Sequence, residues 1–360
     1  MSLPFLQPYF GLSNSLQTAQ ASAGGGGVGG WVELGRTTLG SAGDTISVAS
    51  LANKRYYMVL SDTVETGGAA RPNIRMGAGA VDTGSNYATR RNENGGTEST
   101  NTSLDFINTT NLSPYSKTLQ VGYISNYSTK EKLYIGHTIH QNTAGAATAP
   151  KRTESVGKWA NTSSALDVIT TYNDDAGSFD TGSEMVVLGW DPADTHTTNF
   201  WTELGSDTLV SSSDKLTITF TAKKYLWVQG WITPTGGNAR PNIRMGAGSE
   251  DTGSNYANRR SENGAADALN TSLDFINTHN FGVATPQFFN FFVVNNSANE
   301  KLVTGHLINQ STAGAGTAPG RAEFVGKWAN TSAQADRIII YNDEAGSFNT
   351  GSTVRVWGSN

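Results

Sequence analysis

The sequence predicts an all-β fold: two tandem antiparallel jelly-roll-like β-sandwiches, related by internal duplication and preceded by an extended N-terminal arm. Three observations predict this class. Charged residues make up only 15% of the 360 residues, against about 25% in a typical soluble protein. Glycine contributes 41 residues, and a composition rich in small polar residues favours short strands and turns over long surface helices. The third observation is a long internal repeat.

The repeat joins the two halves of the chain. Of the 23 residues in 71–93, 19 are identical in 240–262. The segment 156–163 returns unchanged at 325–332, again 169 residues later. A period of this length is a whole domain rather than one unit of a solenoid. The duplication therefore predicts two domains of the same fold.

The predicted domain boundaries follow from where the repeat begins in each half. An arm covers residues 1–30, the first sandwich 31–189 and the second sandwich 200–360. Residues 190–199 form a linker between them. Because the linker is short, we expect the two sandwiches to lie close together.

Strand signals recur in both halves. The clearest are 288–294, a continuous apolar run, and 132–139, in which apolar and polar residues alternate. Near the end of the chain, β-rich segments at 335–341 and 353–357 flank a loop rich in Asn, Asp and Gly. About eight short strands per half, joined by long polar loops, are typical of a jelly roll.

The arm at 1–30 contains no Lys, Arg, Asp or Glu. Pro4 and Pro8 interrupt its apolar run, so a secretory signal peptide is not predicted. Six large apolar side chains precede a glycine-rich tether, and we expect them to bind a partner or a neighbouring subunit. The alternative is that the arm folds back onto the first sandwich. The six residues are Leu3, Phe5, Leu6, Tyr9, Phe10 and Leu12.

Composition excludes several classes of function. The absence of cysteine excludes disulfides, thiolate metal sites, cysteine nucleophiles and iron–sulfur clusters. A net charge of −5 gives no basic surface for nucleic acid, and no apolar stretch approaches the roughly 20 residues of a membrane span. Motifs of phosphate-binding loops, serine hydrolases and zinc proteases are missing. We expect no catalytic residue, no cofactor and no metal site, and hence no enzyme.

Two of the five histidines, His137 and His306, occupy equivalent positions in the two halves. His137 shares its parity along the strand with Leu133, which predicts a largely inward face and a hydrogen-bonded histidine in the core or at its rim. A metal ligand or a catalytic base is the alternative. His140 corresponds to Asn309, so a pair of histidines is not duplicated.

The repeated loops at 82–87 and 251–256, both Asp-Thr-Gly-Ser-Asn-Tyr, are the strongest local candidates for function. The first interpretation is a tight turn closed by Asx side chains and by ion pairs. The alternatives are a subunit or partner contact, a sugar-binding loop, and a calcium site with oxygen ligands at Asp82 and Asn86.

Trp159 and Trp328 lie in a repeated Gly-Lys-Trp-Ala-Asn segment. A tryptophan beside β-branched strands is predicted to belong to the core, with a sugar-stacking platform as the alternative. The acidic pairs at 174–175 and 343–344 are predicted to be solvated turn residues rather than an acid/base pair.

The opening of each half, Trp-Val-Glu-Leu-Gly-Arg-Thr-Thr-Leu at 31–39 and its echo at 201–209, resembles virion-associated proteins of marine tailed bacteriophages, as does 295–330. The resemblance covers both predicted sandwiches and leaves the arm outside. It implies β-sandwich units on a virus particle, in single or tandem copies and mostly without an assigned activity. It carries no catalytic or binding residue over to this sequence.

We therefore expect a non-enzymatic virion structural protein on the particle surface, a capsid decoration protein or tail appendage anchored by its arm. Its expected partners are other virion proteins and further copies of the chain, because a trimer of two-domain chains suits sixfold sites. The alternatives are a carbohydrate-binding adhesin that contacts host glycan through the repeated loops or the tryptophans, a polysaccharide-degrading enzyme with paired carboxylates, and a double jelly-roll capsid protein.

Overall fold

The computed structural model describes residues 30–112, 116–194, 197–282 and 284–360. Within these ranges the regular structure is entirely antiparallel β-sheet, without a helix. The predicted all-β class is confirmed. The six apolar residues assigned to partner binding, from Leu3 to Leu12, lie outside the described residues, as does nearly all of the predicted arm.

Strands of both halves follow one pattern. Those of the first half are β1 (Val32–Thr38), β2 (Thr45–Val48), β3 (Tyr56–Thr66), β4 (Asn73–Ala78), β5 (Ala80–Val81), β6 (Tyr87–Glu93), β7 (Ser99–Leu104), β8 (Lys117–Ser125), β9 (Lys132–Gln141), β10 (Lys151–Trp159), β11 (Val168–Tyr172), β12 (Ser178–Phe179) and β13 (Glu184–Trp190). Those of the second half are β14 (Thr202–Thr208), β15 (Lys215–Thr219), β16 (Tyr225–Ile232), β17 (Pro234–Thr235), β18 (Asn242–Ala247), β19 (Ser249–Glu250), β20 (Tyr256–Glu262), β21 (Ala268–Leu273), β22 (Gln287–Val294), β23 (Lys301–Asn309), β24 (Gly320–Trp328), β25 (Arg337–Tyr341), β26 (Ser347–Phe348) and β27 (Thr353–Ser359).

Each half forms a large and a small sheet. In the first half their orders are β1-β13-β3-β8-β9-β10-β6-β7 and β2-β11-β4-β5. The first and last long strands are neighbours in the large sheet, and β2 and β11 are neighbours in the small one, which is the double Greek-key connectivity of a jelly roll. The second half repeats both orders, β14-β27-β16-β22-β23-β24-β20-β21 and β15-β25-β18-β19. The predicted tandem jelly rolls are confirmed.

Every hydrogen-bonded pair of named strands lies within residues 32–190 or within residues 202–359. No sheet formed by these strands crosses from one half to the other. The individual domain boundaries stay a prediction.

The core of each half lies between its two sheets. In the first half, Tyr57 and Val59 of β3 pack with Ile74 of β4 and Ile169 of β11, and all four are fully buried. The second half builds the same core with more aromatic residues, among them Phe291. Side chains of a strand point alternately to its two faces, so every second residue of β3 packs into the core between the two sheets.

Part of the outer face of each large sheet is buried too, because the two halves pack against each other there. Met58 and Leu60, which alternate with the inward residues of β3, belong to one apolar cluster with Trp227 and Phe292 of the second half. Strands covered on both faces show continuous apolar runs instead of polar alternation. This explains the apolar run at 288–294.

The prediction that β9 turns Leu133 inward is wrong. Leu133 is 54% exposed and Ile135 is 56% exposed, whereas Tyr134 between them is buried. The ring of Tyr134 fills the space beside Gly122 and Gly136, where a Cβ atom would lie within 2.6 Å of it. The fit of this ring against two glycines decides which face of the strand is buried.

Candidate functional site

The repeated loop at 82–87 is closed by its own hydrogen bonds. The Asp82 carboxylate accepts from the Gly84 backbone N–H at 2.8 Å and from the Asn86 side-chain amide at 2.9 Å. The Tyr87 hydroxyl donates to the Met76 carbonyl at 2.7 Å. The loop at 251–256 repeats these bonds. The tight-turn interpretation is confirmed.

Trp159 lies beneath the first loop and belongs to the core. It is 1% exposed, and its indole N–H donates to Asp82 Oδ2 at 2.7 Å. Trp328 is equally buried and makes the same bond with Asp251. The core prediction is confirmed, and the alternative of a sugar-stacking platform at these two residues is wrong.

Because the Asp82 carboxylate already accepts bonds from Trp159, Gly84 and Asn86, its oxygens have little capacity left for a calcium ion. Burial alone would raise the pKa of the Asp82 carboxyl, but these hydrogen bonds lower it below its usual value. Among the described residues, no group of three or more His, Asp or Glu side chains is placed to hold a metal ion.

We predict that Asp82→Ala lowers the free energy of unfolding by about 1–3 kcal/mol, because the buried Trp159 indole N–H loses its acceptor. Chemical denaturation measures the change, and Asp251→Ala should act alike. Thr83→Ala, an exposed change in the same loop, is the control and should stay within about 0.5 kcal/mol of the original chain. Equal effects of Asp82→Ala and Thr83→Ala would contradict the role of this bond.

The acidic pairs at 174–175 and 343–344 lie in turns as predicted, with Asp174 and Asp343 exposed, and they are also ion-paired. Arg71 contacts Asp174 at 3.5 Å and Asp175 at 2.9 Å. In the second half, Arg240 pairs with both residues at 343–344. In each half, one guanidinium between the two carboxylates offsets part of their charge and links this loop to the segment that leads into β4 or β18.

A charged cluster lies between the two halves. Arg152, 4% exposed, pairs with Asp267 of the second half at 2.8 Å and with Glu323 at 3.2 Å. The carboxyl of Glu154 is hydrogen-bonded to that of Glu323, its equivalent in the other half. The charges of this cluster therefore serve the contact between the halves.

His137 and His306 lie in the same interface and are not on the inward face of the sandwich. Their ring centroids are 4.2 Å apart, and burial lowers the pKa of both imidazoles. Glu154 also meets its equivalent, Glu323, so equivalent residues of the two halves meet in this part of the interface. The expectation of an inward face is wrong, because it was inferred from the parity that His137 shares with Leu133. Leu133 itself lies on the outer face of the sheet.

We predict that the contribution of Glu154 to stability falls as the pH rises from the pKa of an unfolded glutamate, about 4.3, to the raised pKa of about 8 in the folded chain. Burial, and then the neighbouring Glu323, raise the pKa of Glu154 above its usual value, so the folded chain holds a proton that the unfolded chain has released. The stabilisation is fully present below the pKa of an unfolded glutamate, and it is lost by the time the pH has risen through the raised pKa of the folded chain. Glu154→Gln should flatten the profile in denaturation experiments, and identical profiles for both chains would contradict the prediction.

An apolar pocket opens on the outer face of the first large sheet, with a volume of about 550 Å³. Trp190 stacks on Tyr56 with ring centroids 5.5 Å apart, and Leu133 and Ile135 form an exposed rim. None of the lining side chains is charged. The lining residues are Gly30, Trp31, Tyr56, Tyr57, Tyr123, Ile124, Ser125, Leu133, Ile135 and Trp190.

The equivalent surface of the second half is covered. Trp201 and Phe292 hold the positions of Trp31 and Tyr123, and they are only 2% and 6% exposed because the first half packs on them. The pocket is thus the counterpart of a contact between two protein surfaces, and no described residue covers it. Sequence reasoning missed it, although the shared tryptophan at the start of each half was a signal.

No helix in the described part of the chain is long and apolar enough to cross a membrane.

No protein family model matches the chain, and no curated protein matches it. Among solved structures, 91% of the chain aligns with 90% of the mouse laminin alpha1 chain, domains LG4-5. The aligned residues are 9% identical and the TM-score is 0.20. A likeness at that TM-score carries no argument about fold or function.

Proposed function

We propose that the chain is a non-enzymatic virion structural protein, a capsid decoration protein or tail appendage, that attaches to other proteins of the particle. The observation that supports this best is the apolar pocket of the first half, which no described residue covers. Its counterpart around Trp201 and Phe292 binds a protein surface within the same chain. A surface of this kind suits an apolar protein partner.

The chemistry of the pocket supports binding rather than catalysis. Acid/base or nucleophilic chemistry needs suitably placed titratable groups, and the lining offers only tyrosine hydroxyls as such groups, without a His, Asp, Glu or Lys side chain. Sugar recognition needs converging polar groups, whereas this surface is mainly aromatic and aliphatic. The buried Asp62 and Asp267 lie elsewhere and are ion-paired to Lys117 and Arg152.

The pocket is tested with Ile135→Asp, which places a charge on its rim. Because Ile135 is 56% exposed, we expect stability to change by no more than about 0.5 kcal/mol. Co-sedimentation with particles that lack the protein should weaken by about tenfold or more. Leu269→Asp is the matched control, since Leu269 is 53% exposed and outside the pocket. Equal binding by both variants would contradict the proposal.

The anchoring role of the arm has its own test. A chain that lacks residues 1–29 should remain folded by circular dichroism and should no longer join particles, because the six apolar side chains are gone. Normal incorporation of the shortened chain would overturn the anchor while leaving the pocket as an attachment surface.

A further inference from the structure

We infer that in the free chain the apolar segment 3–12 occupies the pocket on its own first half. This binding occurs in the free chain, before any partner is present. Its test therefore does not depend on whether the chain belongs to a virus particle. It rests on where the chain enters the fold, on the length of the tether and on the chemistry of both surfaces.

The chain enters the described fold at the pocket itself. Gly30 is one of the lining residues, next to Trp31. Seventeen residues separate Leu12 from Gly30, and glycine-rich linkers of that length have a root-mean-square end-to-end distance of roughly 20–25 Å. The segment therefore returns to the pocket at an effective concentration in the millimolar range. At micromolar protein, binding to the chain's own pocket outcompetes binding to a second copy.

The two surfaces match in chemistry. The segment 3–12 carries two phenylalanines, one tyrosine and three leucines and has no charged residue. The pocket offers Trp and Tyr rings with an aliphatic rim and also has no charged side chain. Aromatic rings pair well in offset or edge-to-face arrangements, and no charge needs to be desolvated on either side.

The pocket and the segment 3–12 would each promote aggregation if they were exposed to water. A contiguous exposed apolar patch favours aggregation, and so does an apolar peptide on a tether. Covering one with the other protects both in the free chain. In the second half, the equivalent surface around Trp201 and Phe292 is buried against the first half. Binding of segment 3–12 explains how the first half can carry an apolar surface that the second half does not cover.

The absence of cysteine allows a direct test in the full chain. We propose the double variant Phe5→Cys/Ile135→Cys, oxidised at low micromolar concentration, with the disulfide located by mass spectrometry. The disulfide should form within single chains about tenfold faster than in Phe5→Cys/Val210→Cys. Val210 is 92% exposed and lies on the second half, outside the pocket. Equal rates would overturn the inference, as would disulfides that form only between two chains.

A second measurement needs no cross-link. The full-length variant Phe5→Ser/Phe10→Ser should bind an apolar fluorescent dye more strongly than the original chain, because its pocket is uncovered. Gln7→Ser/Gln17→Ser changes the same region without removing apolar side chains and should leave dye binding unchanged. An original chain that binds the dye as strongly as the Phe5→Ser/Phe10→Ser variant would contradict the inference. Neither outcome depends on incorporation into particles.

Discussion

Trp227→Ala is expected to lower the free energy of unfolding by about 3–5 kcal/mol. Trp227 is 4% exposed, and its ring centroid lies 5.7 Å from that of Trp201 and 5.6 Å from that of Phe292. The substitution opens a cavity between the two jelly rolls and leaves both inner cores intact. We therefore expect thermal unfolding, followed by differential scanning calorimetry, to split into two transitions.

Trp231→Ala is the matched control for this prediction. Trp231 lies on the same strand and the same face as Trp227 but is 47% exposed. Its loss should cost less than about 1 kcal/mol and should not split the transition. A Trp227→Ala chain that unfolds in a single transition at the original midpoint would contradict the described interface.

Asp62→Asn is the second change with a large expected effect. Asp62 pairs with Lys117 at 2.6 Å, and the two side chains are 2% and 1% exposed. Lys224 and Asn296 of the second half also contact the Asp62 carboxylate, at 3.5 Å and 2.6 Å. Removing the charge leaves the Lys117 ammonium buried without its counter-ion, which typically costs about 3–5 kcal/mol. Urea denaturation measures the loss.

The same ion pair sets a pH dependence. Burial alone would raise the pKa of the Asp62 carboxyl, but Lys117 and Lys224 lower it below its usual value. The pair therefore stabilises the fold above the pKa of an unfolded aspartate, about 3.9, and the contribution is lost as the pH falls through the folded pKa.

Two variants provide controls for the pair. Asp62→Leu/Lys117→Met removes both charges and should recover much of the stability that Asp62→Asn loses. Glu131→Gln breaks the exposed pair with Lys158 and should cost no more than about 1 kcal/mol. A double variant as unstable as Asp62→Asn would show that the unpaired Lys117 charge is not the cause.

Local chemistry made much of the fold predictable from sequence. The duplication gave two copies of one unit, and the apolar run at 288–294 became β22. The loop at 82–87 was predictable because an Asx turn needs only Asp82, Gly84 and Asn86 at close spacing. These features depend on neighbours within a few residues.

The outer faces of the large sheets were not predictable in this way. On β9, Leu133 and Ile139 share a parity, yet Leu133 is exposed and Ile139 is fully buried. The difference is set by where the other half packs, which no pattern within one strand records. The position of Asp62 shows the same limit, since the second half has Trp231 at the equivalent position and no matching ion pair.

Electron cryomicroscopy of a particle that carries this chain tests the central claim, attachment through the apolar surface of the first half. We expect another particle protein to cover Leu133, Ile135 and Trp190. Particles without the chain, or a bound chain whose pocket faces open solvent, would contradict it.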